Sequence, residues 1–258
     1  MPLIGLGVYD MYGIEAETAI LNALEIGYRL IDTAAMYENE VEVGNAVRKS
    51  GIPRGEIFVT TKVANHDQGY DSTLKAFDTS LEKLGIEYLD LYLVHWPVKG
   101  KRRDTWKALE KLYSEQRVKA IGVANYLIPF LEELKTYATI LPAVNQVEFT
   151  PFVFSKKLLE YCATANVQLQ AYSPIARGHK NTDPKLIRLA EKYHKTPAQI
   201  LLRWCVQHLV APIPKSVNSK RLKENIDIFN FEMSKEDIAL MDTFDENYRV
   251  AEDPMSML

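Results

Sequence analysis

Four ionisable side chains stand where apolar runs stop. Leu30-Ile31 ends on Asp32, with Tyr37 a few residues beyond. Phe58-Val59-Thr60-Thr61 ends on Lys62, and Leu91-Tyr92-Leu93-Val94 ends on His95, followed by Trp96-Pro97. Singly, each has an ordinary explanation: a capping acid, a packed ring with a wet hydroxyl, a lysine reaching water, a structural histidine. Together they form a set that can polarise a carbonyl. Tyrosine titrates at about 10 and is a weak acid at neutral pH, and a neighbouring ammonium lowers that value. Lys62 is expected to act in this way on Tyr37, with Asp32 keeping Lys62 charged and in place. His95 can donate a hydrogen bond to a carbonyl oxygen while Tyr37 supplies the proton. The set lacks a nucleophile for the carbonyl carbon, which a reduced nicotinamide would provide as hydride. A Schiff-base role for Lys62 is the competing chemistry. The adjacent acid and the Tyr/His pair favour reduction.

For these groups to meet, their runs must be neighbouring parallel strands with their C-terminal ends on one face. Strand patterns fall at Leu3–Val8, Arg29–Asp32, Ile57–Val63, Leu89–His95, Ala120–Ala124, Ala143–Phe149, Gln168–Tyr172 and Ala211–Pro214. Helical patterns lie between them at Glu15–Glu25, Asn39–Lys49, Asp71–Leu84, Arg103–Glu115, Pro129–Tyr137 and Lys156–Asn166. Two follow the seventh strand (Lys185–Tyr193, Pro197–Gln207) and two the eighth (Ser219–Asp227, Lys235–Thr243). Thr196-Pro197-Ala198-Gln199 reads as a capping box, and Ser234 opens the last helix. Gly27, Gly51 and Gly85 fit positions just past helix ends. Continuous βα alternation, eight strands long and without a linker, predicts an α/β fold of the (β/α)8 TIM barrel type. It would be a single domain over residues 1–258 with extra helices near the C-terminus. A doubly wound open sheet is the alternative.

Composition excludes other classes. The 258 residues are 47% hydrophobic and 25% charged, enough for a full core and against disorder. Thirty-one Lys+Arg against 34 Asp+Glu give a net charge of -3, so no nucleic-acid or anionic-membrane partner is expected. No run reaches the length of a membrane span, and Met1-Pro2-Leu3-Ile4-Gly5 does not read as a signal peptide. Cys162 and Cys205 read as buried thiols. His66, His179, His194 and His208 lack metal-ligand spacing, so no metal is expected. The expectation is a cytoplasmic monomer.

The segments Gly27-Tyr28-Arg29-Leu30-Ile31-Asp32-Thr33-Ala34 with Tyr37, Phe58–Lys62 and Leu89-Asp90-Leu91-Tyr92-Leu93-Val94-His95-Trp96-Pro97 resemble the aldo-keto reductases. So do Gly122-Val123-Ala124-Asn125, Val144-Asn145-Gln146, Ala171-Tyr172-Ser173-Pro174 and Ile213-Pro214-Lys215-Ser216, in the same order. The resemblance covers nearly the whole chain. It implies Asp32, Tyr37, Lys62 and His95 as a catalytic tetrad, with Tyr37 the general acid, and NADPH-dependent reduction of a small-molecule carbonyl. An NADPH-binding barrel with a regulatory or structural role and little turnover is the alternative.

The family binds its cofactor without a Rossmann fold, in keeping with Gly5-Leu6-Gly7-Val8-Tyr9-Asp10, which lacks the third glycine of a dinucleotide fingerprint. By resemblance, Asn125 and Gln146 would pair with the nicotinamide carboxamide, Tyr172 would stack on the ring, and Ser173 would reach the pyrophosphate. Lys215 and Arg221 would favour a 2′-phosphate, aided by helix-terminal N–H groups, and Ser216 would be a further cofactor contact. Glu224 and Asn225 would contact adenine. Tyr9, Ala64 and Trp96 would line the substrate pocket. The family often has tryptophan at the first two of these, so a wider, less apolar pocket and a broad aldehyde and α-dicarbonyl range are expected. Ala124 replaces a usual serine, removing one hydrogen bond worth ~0.5–1.5 kcal/mol. Members usually open with a hairpin that plugs the barrel bottom, and that hairpin is expected to be missing here.

Overall fold

The computed structural model describes residues 1–257. The strands are β1 (Leu6–Gly7), β2 (Leu30–Asp32), β3 (Phe58–Val63), β4 (Leu91–Val94), β5 (Ile121–Ala124), β6 (Val144–Glu148), β7 (Gln168–Tyr172) and β8 (Ala211–Pro212). They pair in parallel in sequence order. The helices between them are α1 (Gly13–Ile26), α2 (Glu40–Lys49), α3 (Tyr70–Leu84), α4 (Arg102–Ser114), α5 (Ile128–Lys135), α6 (Lys156–Thr164), α7 (Pro184–Tyr193) and α8 (Pro197–Gln207). After β8 come α9 (Ser219–Ile226) and α10 (Lys235–Met241). Gly5 N–H and Gly7 N–H donate to the carbonyls of Pro212 and Pro214 at 3.0 and 3.3 Å, closing the sheet on itself between β8 and β1. The chain is a (β/α)8 barrel. No helix among the described residues is long and apolar enough to cross a membrane.

The expected order of elements holds, and most ends fall within a residue or two. The first and last strands are shorter than expected. Pro212 and Pro214 have no N–H to donate, so the β8 ladder cannot run to Pro214. Gly7 sits at the closing seam, where an added Cβ would lie 2.8 Å from the carbonyl oxygen of Ile213. Only a residue without a side chain lets β1 approach β8 this closely. The Thr196 capping box forms as expected, with both reciprocal bonds present.

Side chains alternate along each strand, so parity decides what enters the barrel. The outward set, including Val59, Val63, Tyr92, Val94 and Val123, packs with the helices in the main apolar cluster. Leu91, Leu93, Ala124 and Val144 form a small separate cluster inside. Asp32, Lys62, Gln146 and Tyr172 have inward parity, Gln146 at the middle of β6 and the other three at or next to the C-terminal ends of their strands.

Candidate active site

Lys62 is fully buried at the centre of the inward set. Its ammonium donates to Asp32 Oδ1 at 2.6 Å, to the Thr33 carbonyl at 2.9 Å and to Tyr37 Oη at 3.5 Å. All three of its protons are therefore directed. Asp32, 1% exposed, also accepts from Gln146 Nε2 at 2.7 Å. Burial raises the pKa of Asp32 and lowers that of Lys62, and each change is opposed by the partner's charge. The His95 ring meets the Tyr37 ring edge-on, with centroids 5.6 Å apart.

The expected effect of Lys62 on Tyr37 is reversed. The tyrosine is held well above its ordinary value, first by burial, then by the charge of Asp32 and by Tyr9. Asp32 cancels the ammonium at close range, so burial dominates and favours the neutral phenol. Burial and the Lys62 charge likewise hold His95 well below its ordinary value, so the ring is neutral. His95 Nδ1 is buried without a partner among the described residues. An unpaired acceptor nitrogen costs less there than an unpaired N–H, which places the ring proton on Nε2.

A cavity of about 1020 Å³ opens above this set. Asp32, Tyr37, His95, Tyr9 and Trp96 line one end. Asn125, Gln146, Tyr172 and Ser173 line its middle, and Lys215, Ser216, Arg221, Glu224 and Asn225 the other end. Lys62 lies behind Asp32 and Tyr37 and does not reach the cavity wall. Ala64, expected in the substrate pocket, is buried and is not part of the lining, since its methyl is too short to reach it. His66 is exposed beside Asp67.

The middle of the cavity departs from expectation in how its amides are used. Asn125 Nδ2 donates to the His95 carbonyl at 2.9 Å, and its Oδ1 accepts from the Tyr172 hydroxyl at 2.8 Å. Gln146 Nε2 donates to both Asp32 Oδ2 and Gln170 Oε1, each at 2.7 Å. Gln146 thus steadies Asp32 and retains its carbonyl oxygen for a ligand. Gln170, fully buried and in register with Gln146 across the β6–β7 pair, had no sequence signal beyond its inward parity. Asn125 takes a left-handed backbone, φ 65°, which asparagine tolerates better than most residues.

At the far end, Lys215 and Arg221 are exposed and have no acidic partner among the described residues. Two of the leading α9 N–H groups expected to help are already taken: Asn218 Oδ1 accepts from Lys220 and Arg221 at 3.0 and 3.1 Å. The exposed cationic side chains are uncommitted there, whereas those two amides are not. Sequence reasoning also missed Arg177, which lines the cavity with its guanidinium 5.7 Å from the Tyr9 ring centroid, and Thr196-Pro197-Ala198 at the start of α8.

The sequence model of the Aldo/keto reductase family matches residues 11–246. The chain is 49% identical over 259 residues to the glyoxal reductase of Bacillus subtilis (strain 168), covering 100% of this chain and 94% of that one. Among solved structures it is similar to an aldo-keto reductase enzyme from a Medee basin deep-sea metagenome library. The TM-score is 0.95 at 43% identity, over 98% of this chain and 94% of that one. It is also similar to a mutant of Gox0644 crystallised in complex with NADPH, with a TM-score of 0.94 at 39% identity, over 99% of this chain and 94% of that one.

Proposed function

The chain belongs to the aldo/keto reductase family, and from that premise we propose that it reduces aldehydes and ketones to alcohols with NADPH, Tyr37 acting as general acid. The observation that carries this reading is the Tyr37 hydroxyl. It accepts from the buried Lys62 ammonium and lines the cavity, so its own proton is free to point at a ligand.

The residues present fit the cofactor. The cations at Lys215 and Arg221, without an acidic partner among the described residues, suit a 2′-phosphate, with Glu224 and Asn225 beside them for the base. Tyr172 offers a ring face, and Gln146 Oε1 and Asn125 offer polar atoms for a carboxamide. Bound NADPH supplies the hydride that makes the new C–H bond at the carbonyl carbon. The chain supplies the rest. His95 Nε2–H orients the carbonyl oxygen and stabilises the charge developing on it. Tyr37 Oη gives that oxygen its proton. Lys62, fixed by Asp32, then holds the tyrosinate left behind until it is reprotonated.

Tyr9 and Trp96 wall the reacting end, and no second indole narrows it. We read the substrates as a broad set of aldehydes and α-dicarbonyls, in keeping with the 49% identical glyoxal reductase. The test is NADPH consumption with glyoxal, methylglyoxal, a nitrobenzaldehyde, a sugar aldehyde and a keto acid, with NADH as the control. Wild type and Tyr37→Phe run in parallel. Turnover that prefers NADPH and is lost in the variant supports the reading. Tight NADPH binding with no turnover of any carbonyl overturns it in favour of a regulatory or structural barrel.

A further inference from the structure

Glu148 ends β6 and is only 7% exposed. Its two carboxylate oxygens take backbone protons from the C-terminal tail: Val250 N–H donates to Oε1 at 2.7 Å and Ala251 N–H to Oε2 at 3.4 Å. Burial lifts the carboxyl above its ordinary range, opposed by these two amides and by the charges of Arg249 and Arg177.

The tail is also fastened on either side of this contact: beyond it the Arg102 guanidinium donates to the Met257 carbonyl at 3.2 Å, and before it stand three other contacts. Tyr248 N–H donates to the Phe152 carbonyl, the Tyr248 hydroxyl meets His179 Nδ1, and Glu246 pairs with Lys180. Past Tyr248 the pattern changes. Between Arg249 and Ser256, the hydrogen bonds that described residues make to the rest of the protein all end on Glu148. That stretch is a wall of the site. Ala251 lines the 1020 Å³ cavity. Arg249 and Glu148 line a second cavity of about 260 Å³, which shares Asn125 and Tyr172 with the first. The Tyr172 hydroxyl donates to Asn125, and Asn125 donates to the His95 carbonyl, so the wall and the reacting histidine meet through adjoining contacts.

We propose that Glu148 is a positioning residue for the carbonyl substrate: its carboxylate fastens Val250 and Ala251 as the outer wall of the cavity, and that wall sets how tightly the substrate is held. The proposal rests on the reductase reading above. It assigns Glu148 no part in proton or hydride transfer.

The test uses a bond that the contact itself protects. Trypsin cleaves after arginine, and the amide that follows Arg249 belongs to Val250, whose N–H Glu148 holds. Native full-length wild type, Glu148→Gln and Glu148→Ala are digested briefly, and cleavage between residues 249 and 250 is followed by mass. Losing both bonds to a charged acceptor should speed cleavage in the alanine variant by about tenfold or more. Glutamine keeps one acceptor oxygen and should fall between. On methylglyoxal, KM should rise by about 3–10-fold in the alanine variant while kcat and the NADPH dissociation constant stay within about twofold. Unchanged cleavage in Glu148→Ala overturns the proposal, and so does a fall in kcat at constant KM. If the alanine variant does not fold, the glutamine variant carries both readouts. A wild type inactive on every carbonyl removes the reductase reading and the substrate role with it, whereas the digestion still decides whether Glu148 fastens the tail.

Discussion

The cavity treats its cations in opposite ways at its two ends. Lys62 has no exposure, all three protons are directed, and its charge is cancelled by an acid at 2.6 Å. Lys215 and Arg221 stand in water on the segment leaving β8, with no acid to meet them among the described residues. A group that acts on a reacting proton has to be in place before the substrate arrives, because reorganising it during the reaction would raise the barrier. A group that captures a phosphate has to stay uncommitted until the anion comes. Strand ends provide the first condition, and a loop running into a helix provides the second.

The contrast can be broken most severely at Tyr37. Tyr37→Phe should lower kcat by roughly 10²–10⁴-fold, since that is what a positioned acid supplies. NADPH binding, followed by fluorescence quenching, should stay close to wild type because the capturing end is untouched. Asp32→Asn comes next. It leaves Lys62 buried beside a neutral amide and should cost about 3–5 kcal/mol of stability, read from urea unfolding. If lysine and acid contributed no more than an exposed pair, the midpoint would barely move.

Arg221→Ala tests the other end and should weaken NADPH by about 10–150-fold while leaving NADH nearly unchanged, one charge-assisted contact being worth ~1.5–3 kcal/mol. Equal losses for the two cofactors would remove the phosphate assignment. The smallest effect is with pH. His95 lies well below its ordinary value of 6.5, so kcat for reduction should show no inflection there. Tyr37 lies above its ordinary range and must be protonated to act, so neutral pH leaves the acid form intact. Lys62 is lowered by burial, so activity should fall on the alkaline side as its charge is lost. A step near neutrality in the pH profile would mean that His95 titrates in the working range.

The four chemical groups were legible because Asp32, Lys62 and His95 each interrupt an apolar run at a strand end, with Tyr37 just beyond the first, and the order of runs makes those ends neighbours. The (β/α)8 arrangement followed from the same alternation. What was not legible depended on closure of the ring. Gln146 reaches Asp32 across 114 positions of sequence, so its commitment to the acid is invisible until β2 and β6 face each other inside the barrel. The sign of the Tyr37 shift was missed because pairing with Lys62 suggests one direction and burial imposes the other. Asn218 is different: an asparagine two and three residues before Lys220 and Arg221 was a readable cap, and it could have shown that those two α9 amides were already satisfied. Glu148 and the tail it holds are 102 residues apart, and no local pattern joins them.

The seam between β8 and β1 rests on two backbone bonds and two short strands, whereas β6 and β7 pair over five residues. Tyr9 follows one side of that seam and Lys215 the other, and both face the same cavity. A molecule spanning the cavity therefore works as a clasp across the thinnest part of the ring. Its binding free energy adds to closure of the barrel, and breathing of the barrel and release of the ligand draw on the same contacts.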